Sequence, residues 1–173
     1  MRIESWVGAA VVLSTLSGGV VRAEERQTRP FQVPANIQLL HDIELAIQLI
    51  YDKSPSFRTQ LARIAGADHL RVTIQIDPSI PGRCRAFTRL QRRGQTIRAE
   101  VHIPPSSDHA ELLAHELEHI LEQIEGVDLY ALAQVRDSGV YAVDFAVFET
   151  DRAQAAGRTV RAETRRQRSP AAD

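Results

Sequence analysis

His115-Glu116-Leu117-Glu118-His119 places two imidazoles four residues apart, with a carboxylate directly after the first. On a helix turning about 100° per residue, the two histidines lie about 40° apart around the axis and one turn apart along it. Both rings can then reach one metal ion. Glu116, on the same side, can reach a water beside that ion without having to bind the ion itself. This is the chemistry of a hydrolytic zinc site: neutral nitrogens hold Zn2+, the ion lowers the pKa of water to about 7, and the carboxylate takes the proton. The plain alternative is the solvated polar face of an ordinary helix.

A catalytic zinc held by two helical histidines needs a third protein ligand and one open position. No histidine follows His119, so a carboxylate is expected. Glu122 is nearly in line with the two histidines but two turns from His115, which suits the cleft edge or a hydrogen bond to a ligand. Asp144 and Glu149 are the acids embedded in the apolar run that starts at Val140, where a buried carboxylate needs a partner. They are five residues apart, so on a helix at most one faces the metal. Glu149 is preferred and Asp144 is the runner-up; the bland reading of either is an ion pair with an arginine such as Arg152. His41, His69 and His102 show no ligand spacing and read as surface or capping residues, and His109 points off the metal face. Tyr130 or Tyr141 would suit an oxyanion donor, although a tyrosine in an apolar helix is expected to be core. A carboxylate-bridged di-iron site is set aside, because it needs a second Glu-x-x-His and the chain has none.

Several elements must position these residues. Ile37, Leu40, Ile43, Ile47 and Ile50 recur every three or four residues and predict a first helix over 36–52. Ser54-Pro55 starts a second, which Gly66 stops. Leu70 to Ile76 alternates as a half-buried strand. Strands over 84–90 and 96–103 flank a turn at Gln91-Arg92-Arg93-Gly94, and Pro104-Pro105 ends the second. Asp108 and Glu111 have the spacing of a capping box that opens the motif helix, and Gly126 closes it. A short helix follows over 129–135. A long helix is expected from Val140 to about Arg166, with its apolar front half buried. The fold class expected is α+β: a small, mostly antiparallel sheet, an active-site helix and a following long helix.

This order of elements, with HExxH on a helix and a glutamate downstream, resembles the zincin metallopeptidases over roughly residues 70–157, and the carboxylate ligand resembles the gluzincin branch. The resemblance implies zinc on His115, His119 and Glu149, with Glu116 as general base and proton shuttle. It also implies a peptide or protein substrate lying as an added strand along a sheet edge, here 96–103. The chain departs from the pattern at Glu118, where active zincins have an uncharged residue. It departs again at Ala153, four after Glu149, where many gluzincins carry an aspartate supporting the first histidine; Asp151 is the candidate substitute. These departures keep a second reading open, a catalytically inactive zinc-binding or scaffold protein.

The chain has 173 residues, 43% hydrophobic and 25% charged, with a net charge of -1. That is one ordinary globular domain with no electrostatic pull towards nucleic acid or an anionic membrane. Residues 1–23 stand apart: Arg2, an apolar stretch from Trp6 to Val21, then Val21-Arg22-Ala23. They read as a signal peptide cleaved after Ala23, which makes the chain secreted or periplasmic with no stable membrane anchor after cleavage. The uncharged run Ser5 to Val21 is at the short end of a membrane span, and its glycines make an uncleaved anchor the weaker reading. A linker over 24–35, a single domain over 36–167 and a disordered tail over 168–173 complete the organisation. Cys84 is the single cysteine, so no internal disulfide forms, and it is expected as a buried thiol.

Overall fold

The computed structural model describes residues 31–40, 42–80, 86–105 and 108–166. The signal peptide expected over 1–23, His41, Cys84 and the tail expected over 168–173 lie outside them. In chain order the elements are β1 (Ile37–Leu40), α1 (Ile43–Lys53), α2 (Pro55–Ala65), β2 (Leu70–Ile76), β3 (Phe87–Arg93), β4 (Thr96–Ile103), α3 (His109–Ile124), α4 (Leu129–Leu132), β5 (Val140–Asp144), β6 (Val147–Thr150) and α5 (Asp151–Arg166). The class is α+β, as expected. Among the described residues, no helix is long and apolar enough to cross a membrane.

The main sheet runs β1-β2-β4-β3 and is mixed rather than mostly antiparallel. β1 and β4 pair with β2 in parallel, and β3 pairs with β4 antiparallel across the turn at Gly94, whose φ is +59°. β4 is therefore an inner strand, and β3 is the edge on that side. β1 is the first correction to the helix expected over 36–52. Ile37–Leu40 follows the helical spacing, but four residues are too few to fix a period, and the open side of β2 captures them as a strand. Asp42, at φ +39°, separates β1 from α1.

α1, α2 and α3 bury Ile43, Ile47, Phe57, Leu61, Ile64, Leu113, Leu117 and Ile120 against the inward side chains of the sheet, among them Val72, Ile74, Ala99 and Val101. Ser54 caps α2 by accepting from the Phe57 amide at 3.0 Å, with Pro55 in the first turn. α5 lies along α3 and reaches back to α2, where Glu163 accepts from Ser54 Oγ, the Ser56 amide and Ser56 Oγ. Asp108 makes no side-chain cap bond to α3, contrary to the capping box. It faces Arg161 and Arg165 of α5 at 3.4 and 3.5 Å, and Glu111 pairs with Arg161. These contacts tie the helix start to α5.

The largest correction concerns the run from Val140. Val140–Asp144 and Val147–Thr150 form an antiparallel hairpin, and only the stretch from Asp151 is helical. Apart from the buried Val140 and the half-buried Phe148, its large apolar side chains are exposed: Tyr141, Val143, Phe145 and Val147 all face solvent, as does Tyr130 of α4. His102 departs the other way. It is buried on β4, stacked on Phe87 at 4.5 Å, with Nδ1 2.9 Å from Asp77 Oδ2. Hydrogen bonds from Ser79 and His102 pull the Asp77 carboxyl down to about 2.

Candidate metal centre

α3 is the central helix, and between Leu112 and Glu122 only His115 and His119 escape full burial. Three of its glutamates are buried, and each has a partner. Glu118 accepts from Gln60 Nε2 at 2.6 Å and from Arg152 Nε at 2.6 Å. It therefore faces α2 and α5, away from the cleft. Arg152 also pairs with Glu125, so this ion pair ties the end of α3 to the start of α5.

Glu116 accepts from Thr88 Oγ1 of β3 at 2.7 Å and is 4% exposed. Burial pushes its carboxyl above the ordinary range, against the Thr88 hydrogen bond and the attraction of both histidines. A stronger base at neutral pH results.

Glu122 places Oε2 2.9 Å from His119 Nδ1 and accepts from Thr150 Oγ1 at 2.6 Å through Oε1. Burial opposes its charge, yet the hydrogen bonds from His119 and Thr150 hold its carboxyl below the ordinary range. The converse holds for His119: burial opposes protonation, but the Glu122 hydrogen bond and the carboxylates of Glu116, Glu122 and Glu149 raise its pKa on balance. Glu122 thus supports a histidine from within α3. Asp151 does not take that part; it accepts from Tyr141 Oη at 3.2 Å and its amide donates to the Gly139 carbonyl at 2.8 Å. Ala153 is buried, and its amide donates to Thr150 Oγ1 at 3.0 Å.

The hairpin brings Glu149 over α3. Its Oε1 lies 3.3 Å from His115 Nε2 and 3.8 Å from His119 Nε2, and the two Nε2 atoms are 3.3 Å apart. Burial opposes the Glu149 charge, but His115, the Thr150 amide and His119 hold its carboxyl below the ordinary range. Zinc with bonds of about 2.0–2.2 Å to N and O ligands needs tetrahedral donor atoms about 3.3–3.6 Å apart. Two sides of the observed triangle, 3.3 Å each, fit that requirement, the third, 3.8 Å, lies just beyond it, and its donors are the nitrogens and carboxylate oxygen that zinc accepts. Among the described residues, these three make the one His/Cys/Asp/Glu group compact enough to hold an ion. The side chains of His115 and Glu149 are 20% and 30% exposed, so the triangle opens to solvent.

Asp144 is not brought to this group; it is exposed and accepts from the Phe145 amide at 2.7 Å. Thr88 was missed from sequence, because only the pairing of β3 with β4 puts it over α3. Thr150 was missed as well, although a hydroxyl three residues before Ala153, at the start of α5, is an ordinary cap signal.

Residues 53–127 match a family model described as eCIS core domain. The match runs from the end of α1 to just past α3 and includes His115, Glu116 and His119, but not the hairpin or Glu149. It supports a zincin-like relationship at a coarse level. No curated protein and no solved structure matches the chain.

Proposed function

We propose that this chain is a zinc-dependent peptidase of zincin type that acts outside the cytoplasm on peptides or proteins. The observation that carries the reading is the triangle of His115 Nε2, His119 Nε2 and Glu149 Oε1, 3.3–3.8 Å on a side and open to solvent, with Glu116 beside it. His115 and His119 bind the ion through Nε2. With His119 Nδ1–H directed to Glu122, its Nε2 lone pair is left for the metal. When bound, zinc supplies a Lewis acid that brings the pKa of water to about 7 and polarises a carbonyl. Glu116 has Oε2 held by Thr88, leaving Oε1 to take the proton of the attacking water and return it to the leaving nitrogen. Localisation rests on the composition of residues 1–23.

The second reading, zinc bound without turnover, now rests on a different observation. Glu118 turns away from the cleft and no longer weighs for it, whereas the burial of Glu116 beneath Thr88 does. Glu116→Gln separates the two: a peptidase loses hydrolysis and keeps its zinc, while a scaffold has no hydrolysis to lose. Metal analysis of the mature protein beside His115→Ala and Glu149→Ala tests the site itself. Equal zinc in all three would sink both readings.

A further inference from the structure

β6 presents different side chains on its two faces. Glu149 turns to His115, while Phe148 packs edge-on against Tyr130 of α4 at 4.6 Å. Side chains two apart on a strand share a face, so Val147 stands with Glu149. Tyr141 is the cross-strand partner of Glu149 and joins the same face. Tyr141 is 50% exposed, Val147 51%, and Phe145 at the turn 92%. Tyr141 and Val147 therefore form an apolar surface next to the third candidate ligand, bordered on the outer side by Asp144, the exposed cross-strand partner of Val147. Exposed apolar surface beside a few convergent polar groups is the usual make-up of a ligand wall.

We infer that the Tyr141–Val147 face of the hairpin receives an apolar side chain of the peptide whose carbonyl lies at the His115–His119–Glu149 triangle. This rests on the reading above and adds the substrate class to it. A permanent partner on this surface would cover the neighbour of a metal ligand and close the site, whereas a substrate side chain covers it only while bound. The polar groups nearby, Glu149, Asp151 and Asp144 across from Val147, exclude an acidic occupant, and the exposed Tyr141 and Val147 side chains supply the surface for an apolar one. A carboxylate placed there would meet Glu149, and also Asp151, which accepts from Tyr141 Oη.

Hydroxamates test this without turnover, because they need only an open metal position. Binding of acetohydroxamate and of the N-acetyl hydroxamates of Phe, Asp and Lys to the zinc-loaded full chain would be measured by calorimetry. The Phe compound is expected to bind about tenfold tighter than acetohydroxamate, and the Asp compound no tighter. Val147→Asp and the milder Val147→Ser should each remove most of the Phe gain at unchanged zinc content. Equal binding of Phe and Asp compounds, tightest binding by Lys, or a Phe gain that survives both substitutions overturns the inference. Acetohydroxamate failing to bind the zinc-loaded chain is a separate result and overturns the open metal site itself.

Discussion

Glu122 touches His119 Nδ1 with one carboxylate oxygen and Thr150 Oγ1 with the other, and Thr150 is the neighbour of Glu149. One buried side chain therefore orients a ring from α3 and anchors the strand that carries the third candidate ligand. Removing such a support costs about 10- to 100-fold in metal affinity in comparable sites. Glu122→Ala is expected to weaken zinc by that factor in a chelator-competition titration, and Glu122→Gln by less, since an amide oxygen still accepts from Nδ1–H. An unchanged zinc affinity in the alanine variant would remove Glu122 from the site. At this scale the sequence was most legible. The His115–His119 spacing lives within one helix, so local geometry alone sets it. In sequence Glu149 reads as an acid buried in an apolar helix, whereas it is a half-buried acid on a strand, close to the two histidines.

Between elements, α5 packs tightly on α3 at Gly157. A Cβ on Gly157 would stand 2.9 Å from the Glu111 carbonyl oxygen and 3.4 Å from His115 Cβ. Two effects compete in Gly157→Ala. Helix propensity favours alanine by about 1 kcal/mol, whereas forcing a methyl into packed backbone costs about 1–3 kcal/mol. Neither the Glu111 carbonyl nor α3 itself can yield without moving His115, so the clash is expected to win. The variant should lose up to about 2 kcal/mol of stability in denaturant titrations and bind zinc more weakly. A stabilised variant would show that the helices separate freely. The hairpin was the element least legible in sequence. Val140 to Phe148 is apolar at almost every position, so it carries no period to read, and its enrichment in valine and aromatic residues was the signal that favoured strand. Ala146, at φ +55°, lies at the hairpin turn without a glycine to announce it.

Across the whole molecule, the sheet order depends on pairings between distant segments, β1 with β2 and β2 with β4, which no local pattern encodes. The class and the helix-sheet-helix sequence were readable; which strand became the edge was not. The same long-range logic bears on stability. His115 and His119 sit in the core helix, while Glu149 sits on a hairpin whose outer side chains are in water. That hairpin has little apolar burial of its own, so a metal binding all three residues would fasten it to the core. An ion that binds only the folded chain stabilises it by about 2.7 kcal/mol at a hundredfold excess over Kd. For a domain of this size, that corresponds to about 5–10 °C in Tm. Thermal unfolding with and without zinc is expected to show that rise in the native sequence and none in His115→Ala. In Glu149→Ala, two histidines remain, so a small rise should persist while the hairpin alone loses protection from limited proteolysis on adding zinc. A full rise in Glu149→Ala, with the hairpin equally protected, would mean that the metal does not bridge α3 to β6.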